Sequence, residues 1–184
     1  GDAGEQPDLV PLFHNLNRNK LGVTIDLSHP QAPELVKRLA CQCDVVLENF
    51  TPHVLRKEGL DYESLRRARP DIIMVSLYAA GATGPLRDIS TYAPSITALS
   101  SLDSMVGYEG EPPLGTLSLN FADPTGGLYG AIAALAALRH RARTGQGQYV
   151  DISQWEGIVT LLGEAVMDHV MNGRVAGPCG SSHP

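Results

Sequence analysis

Short apolar runs alternate along the first half of the chain with stretches whose apolar residues recur at helical spacing. The runs at residues 22–27, 44–48 and 71–77 are rich in Val, Ile and Leu, which favours strands. Strands that alternate with helices form parallel βαβ units with right-handed crossovers. The pattern therefore predicts an α/β fold, a parallel sheet with flanking helices.

Capping residues indicate where the helices of this half begin. Ser28 is expected to cap a helix that runs to about residue 40. A second helix is expected over residues 52–57, and Asp61 is expected to cap a third over residues 62–69.

One long helix dominates the second half. Residues 122–143 are rich in Ala, Gly and Leu and apolar on most sides, so this helix is expected to be largely buried. A loop at residues 79–90 and a helix at residues 91–105 precede it. A strand at residues 148–153 and a helix at residues 155–171 follow it. Long loops in compact domains are usually functional or mobile, and the segment at 79–90 is expected to be such a loop.

Composition and charge narrow the classes of function. The 184 residues carry 14 basic and 20 acidic side chains, a formal net charge of −6. Such a chain is poorly suited to hold a nucleic acid, although it can contain a local basic pocket. The longest apolar run, residues 126–138, is too short to span a bilayer. Cys41, Cys43 and Cys179 form neither an even disulfide framework nor a zinc pattern, which indicates a reducing cytoplasm and no metal site.

Asp123 is the leading candidate for chemistry because it stands where a loop enters the long helix. Backbone N–H groups and the helix dipole stabilise a carboxylate at an N-cap or first-turn position, so a purely structural capping role is the alternative. Small residues at 125–127 leave room above the carboxylate. A desolvated Asp that is open to a ligand can act as a nucleophile.

The segment 48–52 is a second candidate because it ends a predicted strand and opens a helix. Ligands of open α/β sheets bind outside the carboxyl ends of strands, and helix N-termini attract phosphate. Asn49 offers a donor and an acceptor, and Phe50 offers a flat apolar face. Arg56 and Lys57 could meet a phosphate. The alternatives are a turn with a buried Phe and two solvated cations.

Two common signatures are missing from the sequence. No G-x-G-x-x-G follows a strand, so a dinucleotide-binding fold lacks its fingerprint. No G-x-S-x-G occurs either, so a nucleophilic serine is not indicated.

Six ordered segments carry a resemblance to a known family. They are residues 17–27 (NRNKLGVTIDL), 44–50 (DVVLENF), 70–76 (PDIIMVS), 122–128 (ADPTGGL), 136–141 (AALRHR) and 144–153 (TGQGQYVDIS). In this order they resemble the class III coenzyme A transferases, a group that includes formyl-CoA and carnitine CoA-transferases and alpha-methylacyl-CoA racemase. The resemblance covers residues 12–184. It implies a Rossmann-like large domain, of which this chain is the middle fragment.

The resemblance also implies a domain arrangement and partners. A leader loop occupies residues 1–20, part of the transferase large domain occupies residues 21–172, and residues 173–184 begin a linker to a further domain. Two full-length subunits would interlock like links of a chain. The substrates would be an acyl-CoA and a carboxylic acid, with no metal, redox cofactor, nucleic acid or membrane involved.

Position by position, the resemblance implies that Asp123 is the catalytic carboxylate and forms a covalent aspartyl intermediate during CoA transfer. The residues that would contact CoA are Ile25, Asn49, Phe50, Val54, Lys57 and Tyr92. Ile25 would line the adenine pocket, and Lys57 would lie near the phosphates.

Two alternatives to the transferase stay open at this level. The racemase branch uses a histidine for proton transfer where this chain has Tyr92. A tyrosine is a poor base at neutral pH, so transfer is favoured over racemisation. The other alternative is a CoA-binding fragment without activity of its own.

Overall fold

The computed structural model describes residues 11–116 and 121–182. The chain divides into two compact units, residues 1–32 and 33–184. The second unit contains the sheet and the candidate catalytic residue.

The first unit differs from its prediction as a leader loop, because residues Pro11–Leu16 form a short helix, α1. Residues 1–10 lie outside the described part of the chain. Asn17 ends α1, with its backbone N–H bonded to the Phe13 carbonyl and its side-chain amide bonded to the same oxygen. Residues 17–20 form a turn after this helix, and the domain boundaries given by the resemblance stay a prediction.

The strand predicted at residues 22–27 is wrong: the segment has no strand structure and turns at its end. A strand needs a neighbour for its hydrogen bonds, and within residues 11–116 and 121–182 no strand pairs with this segment. The predicted cap at Ser28 is also wrong. Its hydroxyl donates to the Asp26 carboxylate at 2.6 Å, and the next helix, α2, begins only at Ala32.

The sheet of the second unit has three parallel strands in the order β1-β2-β3. These are β1 (Val45–Glu48), β2 (Ile73–Tyr78) and β3 (Tyr149–Ser153). Every residue of β2 is buried, as expected for a central strand covered on both faces. The α/β class with a parallel sheet and flanking helices is thereby confirmed.

Seven helices surround this sheet or follow it in the described part of the chain. They are α2 (Ala32–Ala40), α3 (Val54–Lys57), α4 (Tyr62–Ala68), α5 (Ala93–Leu99), α6 (Ala122–Thr144), α7 (Gln154–Val159) and α8 (Gly163–Asn172). The cap predicted at Asp61 is confirmed, since its carboxylate accepts a hydrogen bond from the Ser64 backbone N–H at 2.8 Å.

Two predicted helices are shorter or broken in the structure. The helix expected over residues 91–105 stops at Leu99, because Ser101 adopts a left-handed φ of +68° that an α-helix does not contain. The helix expected over residues 155–171 is interrupted by a 3₁₀ turn at Thr160–Leu162. The Thr160 hydroxyl donates to the Gly157 carbonyl at 2.7 Å, a side-chain bond that often bends helices.

The long helix α6 has the predicted length but is not largely buried. Its small-residue side lies on the sheet, where Gly130 lies against Leu77 and Ala137 packs with Ile73. Leu128, Ile132 and Leu135 on its other side are 67%, 63% and 68% exposed. The apolar composition was correct, but only the small-residue side is close enough to the sheet to be covered.

Paired charges attach the carboxyl end of α6 to the sheet. The Arg141 guanidinium donates to the Asp44 carboxylate at 2.7 Å and to the Asp44 carbonyl at 3.2 Å. Arg69 donates to the same carboxylate at 3.2 Å and to Asp71 at 3.1 Å. These guanidinium groups hold the pKa of Asp44 below its usual range. The amino end of α6, which carries Asp123, therefore lies toward the carboxyl ends of the strands.

The last residues return to an earlier loop. Residues 174–182 form neither helix nor strand, and the Gly180 N–H donates to the Gly107 carbonyl at 2.8 Å. Among the helices that the structure describes, none has the length and apolar character needed to cross a membrane.

Candidate active site

A cleft of about 640 Å³ opens at the carboxyl ends of β1 and β2. We name it the Asp123 cleft. Its polar and aromatic lining includes Asn49, Phe50, Arg87, Tyr92, Asp123 and Gln154. Four residues predicted from the sequence, Asn49, Phe50, Tyr92 and Asp123, are therefore brought together from three separate segments of the chain.

The loop after β1 forms one wall of the cleft, and a buried carboxylate holds it in shape. Glu48 is only 5% exposed, and its Oε2 accepts a hydrogen bond from the Phe50 backbone N–H at 2.8 Å. This bond turns the chain sharply after the strand. Asn49 and Phe50 consequently face the space above the sheet, where a ligand of an α/β fold is expected.

The loop after β2 and the start of α5 form the opposite wall. Arg87, Ile89 and Tyr92 come from this segment, and Tyr92 precedes α5 at its N-cap with a largely exposed ring. His53 Nε2 and Asp88 Oδ1 are 2.7 Å apart, which ties this wall to the loop after β1. That bond helps to fix the width of the cleft.

Asp123 lies in the first turn of α6, as predicted, while Phe121 occupies the N-cap position. Asp123 is exposed to solvent at the mouth of the cleft, and the neighbouring groups that remove part of its water raise the pKa of its carboxyl above its ordinary value. Among the described residues, no side chain donates a hydrogen bond to this carboxylate. A partly desolvated carboxylate that faces a cleft without such a donor is available as a nucleophile.

Gln154 and Tyr78 form the floor of the Asp123 cleft. Gln154 is buried, and its side-chain amide donates to the Leu77 carbonyl at 3.2 Å. A Cβ on Gly126 would lie 3.0 Å from the Gln154 Cγ, so the small residue allows α6 to approach the floor. Burial and the nearby Glu48 carboxylate raise the pKa of Tyr78 far above its ordinary value, which keeps its hydroxyl protonated.

Three predicted residues lie away from the cleft lining. Val54 begins α3 and Lys57 ends it, so both follow the wall loop without lining the cavity. Ile25 belongs to the other compact unit and is partly buried there. Their assignment as CoA contacts stays a prediction.

Sequence reasoning missed Arg87, Tyr78 and Gln154. A weak signal existed for Arg87, because it lies in the long loop at 79–90 and such loops are usually functional or mobile. None existed for the other two, which read as ordinary residues at the ends of strands. Across the described ranges, no group of three or more His, Cys, Asp or Glu side chains is arranged to hold a metal ion.

Comparison with known proteins places this chain in one family. Residues 4–184 match CoA-transferase family III, and the chain belongs to that family. It is 36% identical over 169 residues to the succinyl-CoA–D-citramalate CoA-transferase of Chloroflexus aurantiacus, which covers 92% of this chain and 42% of the relative. It is also 36% identical over 173 residues to the succinate–glutarate CoA-transferase of Agrobacterium fabrum, covering 94% and 43%.

A solved structure gives the same result for the fold. A CaiB/BaiF family protein from Brucella suis superimposes with a TM-score of 0.89 at 36% identity, covering 94% of this chain and 45% of that protein. The chain spans less than half the length of these relatives.

Proposed function

We propose that the protein transfers coenzyme A from an acyl-CoA to a carboxylic acid through a covalent intermediate on Asp123. The observation that carries the proposal is that the Asp123 carboxylate shares one cleft with Asn49 and Phe50, the wall at the carboxyl ends of the strands. Membership of CoA-transferase family III supports the same activity.

The chemistry requires only a carboxylate and the two substrates. The Asp123 oxygen attacks the acyl carbon of the acyl-CoA, the C–S bond breaks, and CoA leaves as a thiolate, so that an anhydride between Asp123 and the acyl group remains. The thiolate attacks the Asp123 carbonyl carbon, which releases the first acid and leaves an aspartyl-CoA thioester. The acceptor carboxylate attacks this thioester, giving a second anhydride and thiolate. Attack of the thiolate on the acceptor's carbonyl carbon then forms the new acyl-CoA and restores the carboxylate.

Each step exchanges one acyl bond for another without any change of oxidation state, so the proposal includes no metal and no redox cofactor. In the same proposal Asn49, Phe50 and Tyr92 contact the pantetheine and thioester part of CoA. Ile25, Val54 and Lys57 contact its nucleotide part.

The names of the relatives suggest which class of carboxylic acid takes part in the transfer. Succinate, citramalate and glutarate, which appear in those names, each carry two carboxyl groups. We extend this class to the present chain and propose that its acid is a dicarboxylic acid.

The proposal also includes a dimeric assembly and a location in the cytoplasm. Two subunits would cover the exposed apolar side of α6, as in an interlocked dimer. The three cysteines are all unpaired, in agreement with a reducing cytoplasm.

Trapping the intermediate tests the proposal. When the protein is incubated with an acyl-CoA and then with hydroxylamine, we expect a hydroxamate at Asp123, because both the anhydride and the thioester are cleaved by this nucleophile. Peptide mass spectrometry locates the adduct. Asp123→Asn should lose the adduct and all transfer, whereas Glu164→Gln, an exposed carboxylate on α8, should keep both.

An adduct at another carboxylate, or full transfer by Asp123→Asn, would refute the assignment. Exchange of solvent deuterium into the α-carbon of an acyl-CoA, without any acceptor acid, would instead indicate a racemase.

A further inference from the structure

Two side chains of opposite charge, Arg87 and Asp123, line the Asp123 cleft. Among the described residues that line it, Arg87 is the only cationic side chain and Asp123 the only carboxylate. The rest of the lining is neutral and includes Phe50, Ile89 and Ile96. An anionic substrate group that enters this cleft therefore has one counter-charge available to it.

The Arg87 guanidinium is only loosely engaged by the protein. Its nearest acid is Asp88, and the closest approach is 3.5 Å, from the Arg87 Nε to Asp88 Oδ2. The other oxygen of Asp88 is bound by His53 at 2.7 Å. In the described part of the chain, neither terminal nitrogen of Arg87 has a hydrogen-bond partner. The planar pair of donors that binds carboxylates in a bidentate manner is thus free.

We propose that Arg87 is a specificity-determining residue that pairs with the second carboxylate of a dicarboxylic acyl group. This inference rests on the proposed function. In the donor acyl-CoA the first carboxyl group reaches Asp123 as a thioester, so it carries no charge there. A second carboxylate keeps its charge, and its partial desolvation against apolar walls is unfavourable unless a cation replaces the lost water.

CoA phosphates are the other anionic groups that an arginine could bind. They are separated from the sulfur by the whole pantetheine arm, whereas Arg87 lines the same cleft as the carboxylate that attacks the thioester. The position of Arg87 therefore favours the acyl end of the substrate over the nucleotide end.

Matched ligands separate the two sources of negative charge. Succinyl-CoA and butyryl-CoA have acyl chains of the same length and differ in ending with a carboxylate or a methyl group, and free CoA has no acyl group. Their dissociation constants are measured by calorimetry in the Asp123→Asn background, which prevents reaction. We expect this parent to bind succinyl-CoA roughly tenfold more tightly than butyryl-CoA, as a hydrogen-bonded charge pair provides.

Adding Arg87→Gln should bring that ratio close to one and leave the affinity for free CoA unchanged. Arg87→Lys, which keeps the charge but loses the planar donors, should restore part of the preference. Arg66→Gln, an exposed cation on α4, should have no effect. Circular dichroism shows whether each variant is folded, and the lysine variant decides the question if the glutamine variant is not.

Equal weakening of all three ligands by Arg87→Gln would assign the residue to the CoA phosphates and overturn the inference. So would a parent without preference, or a preference that survives Arg87→Gln. If the parent binds none of the three ligands, the proposed function itself fails.

Discussion

The Asp123 carboxyl group is subject to two opposing influences. The amino end of α6 stabilises its negative charge, whereas removal from water destabilises it. Desolvation raises the pKa of this carboxyl above its ordinary value of 3.8. The folded protein consequently holds this proton more tightly than the unfolded chain does.

The raised pKa predicts that the Asp123→Asn variant, which should lose the proposed activity, gains thermal stability at neutral pH. The cost of the ionised carboxylate is fully present above the folded pKa and disappears as the pH falls below 3.8. Asp123→Asn should therefore melt at a higher temperature than the wild type at pH 7, and the difference should close toward pH 3.5. Thermal melts of both proteins across this range measure it. A lower melting temperature of the variant at pH 7 would show that the helix terminus dominates.

At the scale of residues, the sequence predicted what local chemistry can show. Asp61 as a cap and Asp123 in a first helical turn depend on neighbours a few positions away, and both predictions are confirmed. The freedom of Arg87 depends on His53 binding Asp88, a contact between residues 35 positions apart. No local pattern indicates such a pair, so this part of the site could not be predicted.

At the scale of elements, the connection from α6 to β3 shows how closely the chain is packed. Gly145 ends α6 with a left-handed φ of +73°, and Gly147 then passes directly over the backbone that enters β2. A Cβ on Gly147 would overlap the Ile72 carbonyl oxygen, and backbone atoms cannot move aside as a flexible side chain can.

Gly147→Ala should accordingly destabilise the fold by roughly 1–3 kcal/mol, because the new methyl group forces β2 and β3 apart. Gly163→Ala is the matched control: this glycine begins α8, and nothing lies within 4 Å of the added Cβ. The control should be neutral or stabilising by up to about 1 kcal/mol. Urea unfolding of both variants gives the two values, and equal effects would refute the close approach.

The predicted strands also differ in how well the sequence alone could identify them. The central strand at 73–78 was recognisable because burial on both faces leaves a continuous apolar run. The strands at 45–48 and 149–153 on either side of it are only partly buried, and their β-branched residues made them recognisable. The segment at 22–27 has the same composition but no described partner strand, and a strand is defined by its partner. Composition therefore identifies residues that are able to form a strand, and pairing decides whether they do.

At the scale of the whole molecule, the exposed side of α6 predicts self-association. Ile132 is 63% exposed and lies between Leu128 and Leu135 on one helical face, an apolar surface of the kind that a second subunit covers. Ile132→Gln should weaken association roughly tenfold or more without lowering the free energy of unfolding of the isolated chain, because its side chain is not in the core.

Sedimentation velocity over a range of concentrations measures this change. Leu35→Gln replaces an equally apolar, half-exposed residue on α2 and should leave association unchanged. A wild type that stays monomeric throughout, or a variant that associates as the wild type does, would contradict the proposed dimer.

The attachment of α6 to the sheet through Arg141 and Asp44 has a consequence for engineering. The proposed nucleophile Asp123 is carried by a helix anchored at its far end, while Arg87, the residue proposed to choose the acid, lies on the loop that follows β2. Substitutions at Arg87 and Ile89 leave both the Asp88–His53 bond and the anchor of α6 in place. A library confined to these two positions is therefore the most economical test of whether this loop chooses the acid.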